Sequence, residues 1–552
     1  MGSIGATIII QTARVIPGIC SIRSLCHPLI LLCLINASLH GELATVQTVH
    51  DLTRLSGTNA VLVTGRNGAN DGGGGLFYYR EAITLTNSGT RFRHASLTGI
   101  WERVLSSPAS FRWYWGGTSE NQSSRLGEAL REHGTVLLPA GIYRIAEPLF
   151  IAATNRLIFE AGAVLQIEKG VTVTNLGSIE AGLQQIFSGE GLVKFAPGWR
   201  KNTVPLIPRT DMVPVTWFGA DSSSQEDSTK AFRRALAIRT GPFSPTIYVP
   251  PGQYKISDTL PLPSITEILG EHFVSSLYFE PIEPNKALFE IAPGANACSI
   301  KNLRIAHNSK MPGSIGILSR GNKTNLMSEI SVEDSDLRGF ETGMLIDGNM
   351  YVRLEANRLF NNRTALLLTT NALFSCNGLS VRNCRFGSNQ RAVNAKRAGA
   401  VSFDNCFFEA NEGEDTVRFE NSSSIQIKSS YFEANKTGSS KGNAVIHFSN
   451  CHSVTVADCL MDGVKQNRAL SHNLIALTDG SQFADLRNNR LYRAKEKCIL
   501  VGDNSSSVSS SLNFFGVIQA GKWDVVKELK TREEILKVTS ERIGFSPALP
   551  AE

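Results

Sequence analysis

Three carboxylates in the C-terminal half of the chain stand at matching places in a recurring phrase. They are Glu409 in Phe407-Phe408-Glu409, Glu433 in Tyr431-Phe432-Glu433 and Asp462 in Leu460-Met461-Asp462. Glycosidic cleavage needs a pair of carboxyls at a fixed separation, one as general acid and one as nucleophile or base. Like charges held close push the pKa of one member up, which a general acid requires. Two residues ahead of these carboxylates runs a second series: Arg358, Arg385, Phe407, Tyr431 and Leu460. Arginine pairs bidentately with a sugar carboxylate, and an aromatic ring stacks on a sugar face. Glu409, Glu433 and Asp462 are therefore the catalytic candidates, and Arg358, Arg385, Phe407 and Tyr431 the substrate-binding ones. A plainer reading competes with this one. Phe-Glu-x-Asn at a corner ends a strand, with Asn making the turn, and stacked like charges deter association of sheet edges.

The phrase recurs at intervals of 22 to 30 residues between Ser299 and Val501, with weaker forms at Asp334-Ser335-Asp336-Leu337, Ala356-Asn357-Arg358-Leu359 and Asn488-Asn489-Arg490-Leu491. A fixed period of this size means one supersecondary unit stacked on copies of itself. Val, Ile and Phe alternate with polar residues at period two, and Asn, Gly and Ser punctuate each unit, so the unit is made of strands. The expected fold is all-β: a right-handed parallel β-helix with one coil per repeat. If Phe386, Phe408, Phe432 and Met461 point inward, the residues on either side point outward. Outward residues then form columns, one holding Arg358, Arg385, Phe407, Tyr431 and Leu460, the other Gly387, Glu409, Glu433 and Asp462. Adjacent coils lie about 4.8 Å apart. Carboxylates one coil apart fall near the roughly 5 Å of a retaining glycosidase, and those two coils apart near the roughly 9 Å end of the inverting range.

Composition narrows the alternatives. The chain has 552 residues, 42% hydrophobic and 19% charged, which describes a folded protein and not a disordered one. A net charge of +6 gives no case for nucleic-acid binding. The ten histidines are scattered, without zinc-ligand spacing. Of ten cysteines, Cys20, Cys26 and Cys33 fall near the N-terminus, and the other seven include no CxxC pair. Cys384, Cys406 and Cys459 hold the same place in the repeat and read as small buried side chains. No Asp or Glu precedes Glu42, and Arg14 and Arg23 stand before an apolar run from Pro28 to Ala37. That run has the length of a signal-peptide core and is too short to span a bilayer, so residues 1–41 read as a leader and the protein as secreted, periplasmic or surface-bound. No later segment reaches membrane-spanning length. Sequons stand at Asn121, Asn322, Asn362, Asn421, Asn435 and Asn504.

Residues 44–105 form a small Gly-rich β module. Its Asn70-Asp71-Gly72-Gly73-Gly74-Gly75 tract lacks a following Gly-Lys-Ser/Thr and is expected to be a tight turn. Residues 111–210 form a first β-helix-like segment or cap, 213–503 the main β-helix, and 504–552 a Ser-rich linker with a capping helix from Trp523 to about Arg542. Two segments open alike. One runs Trp115-Gly116-Gly117, a helical stretch from Ser124 to His133, then Val136 to Tyr143. The other runs Trp217-Phe218-Gly219-Ala220-Asp221, a helical stretch from Ser228 to Ile238, then Ile247 to Tyr254. Each helix would cover an open end of a β-helix.

The second of these, with Asp227-Ser228-Thr229 and Val249-Pro250-Pro251-Gly252-Gln253-Tyr254, resembles the N-terminal signature of the pectate-lyase-like β-helix superfamily, over about Ala44 to Val501. The resemblance implies the fold and an action on polysaccharides, through members that are lyases, hydrolases, epimerases or non-catalytic binders. Lyases of this superfamily use Arg or Lys as base with Asp-bound calcium, and Arg358 and Arg385 near Asp334 and Asp336 are the residues that plan would use. A hydrolase would need no cofactor. Tailspike relatives imply a homotrimer, although no coiled-coil heptad is present. The first copy departs from the signature, with Ser123 where the second has an Asp, and is expected to be structural.

Overall fold

The computed structural model describes residues 43–81, 86–117, 120–195, 212–238, 245–293, 295–308, 311–321, 327–370, 376–440, 442–462, 464–465, 468–502, 504–516, 518–519, 522–523 and 543–545. The expected leader and most of the expected C-terminal helix lie outside them. The chain divides into two compact units, residues 1–116 and 117–552. The first contains a five-stranded sheet in the order Ala44–Val46, Ala60–Val63, Gly75–Glu81, Gly99–Arg103, Arg91–Arg93. Val61, Val63, Phe77, Phe92 and Trp101 pack with Val49 and Leu52 of a short helix to make its core. Its Gly-rich tract is a turn tied by Asp71, whose carboxylate accepts from the backbone N–H groups of Arg66, Asn67, Gly68 and Gly73. Burial pushes the Asp71 carboxyl up, but those four donors hold it below the usual range.

The second unit is a right-handed parallel β-helix. Two parallel sheets of twelve strands and one of eleven form its three faces among the described residues. The first face runs from Met212–Pro214 to Ser506–Ser511, the second from Ser223–Asp227 to Phe514–Gly516, and the third from Leu260–Leu262 to Ile543–Phe545. A shorter three-faced stack precedes it, from Thr135–Leu138 to Leu192–Phe195. The two join through backbone bonds from Ile186 N–H to the Trp217 carbonyl (3.0 Å) and from Phe195 N–H to the Ile238 carbonyl (2.8 Å). The Ser-rich stretch expected as a linker is instead the strand Ser506–Ser511, paired with Gln482–Arg487. Its serines carry no apolar alternation, so only pairing reveals it.

Inward residues repeat from coil to coil and stack. Phe386, Phe408 and Phe432 are buried, with ring centroids 4.9 and 4.5 Å apart and planes nearly parallel. Coils turn between the first and second faces through a residue in the left-handed region, among them Asn383, Asn405, Ser429, Asp458 and Asn488, with φ from +50° to +58°. Asn, Asp and Ser accept that conformation because their short polar side chains bond locally. Beside them, Cys384, Cys406 and Cys459 are buried thiols, and burial pushes Cys384 and Cys459 up to about 12.

The corner between the second and third faces is built from an asparagine ladder. Asn362, Asn389, Asn411 and Asn435 are buried, and each of the first three donates through Nδ2 to Oδ1 of the next, at 3.2, 3.0 and 2.9 Å. The same Oδ1 atoms accept the backbone N–H of the preceding coil's Asn, and the Nδ2 groups of Asn389, Asn411 and Asn435 also reach carbonyls of the preceding coil. The sequons at Asn362 and Asn435 are thus ladder members and not surface acceptors.

The two capping helices are Ser123–His133 and Thr229–Leu236. Their starts superpose in hydrogen bonding. Asp227 accepts from the N–H and hydroxyl of Thr229 and from Ser257 N–H, and Asn121 accepts from the N–H and hydroxyl of Ser123 and from Ala146 N–H. Asn121 therefore takes the place of Asp227, and Ser123 that of Thr229. The sequence alignment that set Ser123 against the Asp is two residues out of register. The signature residues are structural: Tyr143 and Tyr254 donate to the Pro139 and Pro250 carbonyls, and Trp217 Nε1 donates to the Gly182 carbonyl. Asp221 is held down to about 2 by the backbone N–H of Glu226, with help from Ser223 and Gln225.

Removing a rung strands buried groups on both sides. Asn411→Ala takes the acceptor from the Asn389 N–H and from one of the two Asn389 Nδ2 hydrogens, and the Nδ2 donor from the Phe386 carbonyl, so it should destabilise the protein by roughly 2–4 kcal/mol in denaturant titration. Asn411→Asp, which keeps the size but cannot donate, should lose at least as much at neutral pH.

Candidate functional site on the second face

The second-face strands Arg358–Phe360, Arg385–Gly387, Phe407–Glu409, Tyr431–Glu433 and Leu460–Asp462 pair in direct register. Arg358, Arg385, Phe407, Tyr431 and Leu460 form one outward column, and Gly387, Glu409, Glu433 and Asp462 the other, as the repeat implied. All seven site candidates lie on this strip. Arg358, Arg385, Phe407 and Glu409 are exposed, whereas Tyr431, Glu433 and Asp462 are half-buried.

The column is a graded surface. Arg358 stands over the ring of Phe273, which comes from a turn three coils earlier, at 4.6 Å. Arg385 stands over Phe407 at 5.4 Å, and Phe407 meets Tyr431 edge to face at 6.3 Å. These contacts fix long cationic side chains flat along the face. Burial first, then the neighbouring charge of Glu433 and a hydrogen bond with it, push the Tyr431 phenol up to about 12, with Asp462 and Glu409 adding to the shift. Tyr431 therefore stays protonated amid the three candidate carboxylates, with a proton to donate to Glu433.

Register extends the strip beyond the residues read from sequence. Arg304 and Asp336 precede Arg358 in its column, and Arg490 and Phe514 follow Leu460. Arg338 and Phe360 precede Gly387 in the other, and Tyr492 follows Asp462. Phe273 lies outside the repeated phrase and leaves no periodic signal. The others were available by continuing the count of strand positions through the weaker repeats.

Calcium does not fit here. Asp336 is buried and is engaged by Arg338 through both carboxylate oxygens, with Nε to Oδ1 at 3.0 Å. Asp334 sits on the corner, at φ +47°, and not on the strip. Among the described residues no three His, Cys, Asp or Glu side chains come together as a metal site. The arrangement that Arg358, Arg385, Asp334 and Asp336 would need for a calcium-assisted base is not made.

Residues 285–408 and 373–523 match the family described as right handed beta helix region. No curated protein sequence matches the chain. Among solved structures, a tailspike protein of Escherichia coli O157:H7 bacteriophage CAB120 aligns at 10% identity and TM-score 0.34, over 89% of this chain and 52% of its own. The chain thus spans about half the length of that tailspike. The A-module of mannuronan C-5 epimerase AlgE6 of Azotobacter vinelandii aligns at 13% identity and TM-score 0.37, over 55% of this chain and 100% of its own. Tailspike gp49 of Acinetobacter baumannii bacteriophage Fri1, a capsular polysaccharide depolymerase, aligns at 10% identity and TM-score 0.25, over 89% and 78%. The fold defines the class: a three-faced right-handed parallel β-helix with a mixed cationic, aromatic and acidic strip. The family match, spanning residues 285–523, falls on this three-faced β-helix.

The raised Tyr431 phenol has a defined pH signature. A group whose folded pKa lies above its unfolded value near 10 adds stability that is complete below pH 10 and is lost as pH rises toward 12. Tyr431→Phe should therefore flatten the fall of melting temperature between pH 10 and 12, and Glu433→Gln, which lowers only the folded pKa, should make that fall smaller and end it at lower pH.

Proposed function

We propose that the protein is exported and binds an extended, acidic polysaccharide along its second face, cleaving its glycosidic bonds. The observation that carries this reading is the register of Arg358, Arg385, Phe407 and Tyr431 beside Glu409, Glu433 and Asp462. Arg358 and Arg385 would pair with sugar carboxylates, and Phe407 and Tyr431 would stack on pyranose faces. Carboxylates one coil apart, about 4.8 Å, support hydrolysis with retention, one acting as acid and its neighbour as nucleophile. β-Elimination is the alternative chemistry, with Tyr431 or an arginine moving the proton. Among the described residues no helix is long and apolar enough to cross a membrane. A homotrimer belongs to the same proposal.

A second reading is a non-catalytic glycan-binding or adhesion protein, tailspike-like in use. Two observations favour it: Glu409 is exposed, and the Phe-Glu-x-Asn corner is used by the Asn411–Asn435 ladder, which explains the spacing without chemistry.

A panel of acidic and neutral polysaccharides separates the readings. Hydrolysis releases reducing ends without ultraviolet absorbance, and elimination adds the absorbance of unsaturated uronates. On the substrate that is cleaved, Glu409→Gln or Glu433→Gln should lower the rate by about 10²–10⁴-fold. Equal cleavage by both variants would remove the site assignment. Retention of a glycan without product would leave the binder.

A further inference from the structure

A cavity of about 540 Å³ lies away from the second-face strip, against the outer side of the helix Thr229–Leu236. That helix is inserted between the strands Leu192–Phe195 and Leu260–Leu262 of the third-face side. Its inner side, Ala231, Phe232, Ala235 and Leu236, is buried, and Lys230, Arg233 and Arg234 line the cavity.

The charges in this cavity do not balance. Arg233 pairs with Asp258 at 2.8 Å, and Asp258 is shared with Lys286 at 3.3 Å. Asp227 is occupied by hydrogen bonds from Thr229 and Ser257. Both carboxylates are therefore engaged. Arg234 is half-buried over the Phe218 ring, 5.5 Å from its centroid, and reaches only the Phe187 and Ser188 carbonyls, at 3.3 and 3.4 Å. Burial pulls its pKa below the ordinary guanidinium value. Among the described residues neither Arg234 nor Lys230, one turn earlier on the same side, forms an ion pair. A guanidinium removed from water without a counter-charge is unfavourable, and an anion that reaches its free N–H groups relieves that cost. Arginine also suits a bidentate contact with carboxylate or phosphate. Val193, Phe218 and Ile282 supply an apolar wall, and the volume lies within the roughly 300–1,000 Å³ of small-molecule sites.

We propose that this groove is a second binding site, in which Arg234 and Lys230 hold the carboxylate or phosphate of a sugar-sized ligand against the Phe218 wall. The proposal does not rest on the glycan reading of the second face. Calorimetric titration of the full chain with glucuronate, glucose 6-phosphate and neutral glucose tests it and tells the two anion sources apart. At least one anionic sugar should bind, with glucose at least about tenfold weaker. Arg234→Gln and Lys230→Gln should each weaken that binding by about tenfold or more, and Arg353→Gln on the first face should leave it unchanged. Lys230 is exposed, so Lys230→Gln keeps the test decisive if Arg234→Gln fails to fold. Failure of both anionic sugars to bind would overturn the proposal. So would binding that is lost in Arg385→Gln yet unaffected by Lys230→Gln.

Discussion

The structure depends on one constraint: every coil must satisfy its corner polar groups on the coil before and the coil after. The asparagine ladder at Asn362, Asn389, Asn411 and Asn435 does this at one corner, and left-handed residues such as Asn383 and Asn405 do it at another. Amides buried in that way tolerate no slip of a strand, because a one-residue shift would unpair them and turn core residues outward. The stacked rings of Phe386, Phe408 and Phe432 then fall into place. So do the outward columns. The strip on the second face is a consequence of the register that the ladder enforces.

That dependence explains why the same residues support a structural and a chemical account. Glu409 and Glu433 are one coil apart because Asn411 and Asn435 are. What the ladder does not require is the composition of the columns: arginines giving way to aromatics, beside carboxylates that become less exposed along the stack. Nor does it require a phenol whose proton is held by burial first and then by the charges of Glu433, Asp462 and Glu409. Those choices are the part of the strip that a glycan would use.

Much of this is legible in the amino-acid sequence. Period-two alternation and the recurrence of Phe-Glu-x-Asn gave the solenoid and its columns, since side-chain direction in a strand follows from position alone. Features without periodicity escaped. Ser506–Ser511 pairs as a strand although its serines show no apolar face. Phe273 reaches Arg358 from a turn outside the repeat. The Asn121–Asp227 equivalence was hidden because hydrogen-bond acceptance, and not residue identity, is what the two helix starts share. The cavity at Arg234 arises where a helix replaces a strand, and a local pattern cannot report that.

A glycan lying along the second face, as proposed, would meet the strip coil by coil. A pyranose ring is about as long as one coil is high, so each added sugar should meet one further rung of the strip. Affinity of the full chain for a series of acidic oligosaccharides of increasing length tests this most directly. The account expects affinity to climb with each sugar over several rungs and to fall in Arg358→Gln and Arg385→Gln. Affinity that is independent of length, or unchanged in both variants, would contradict it.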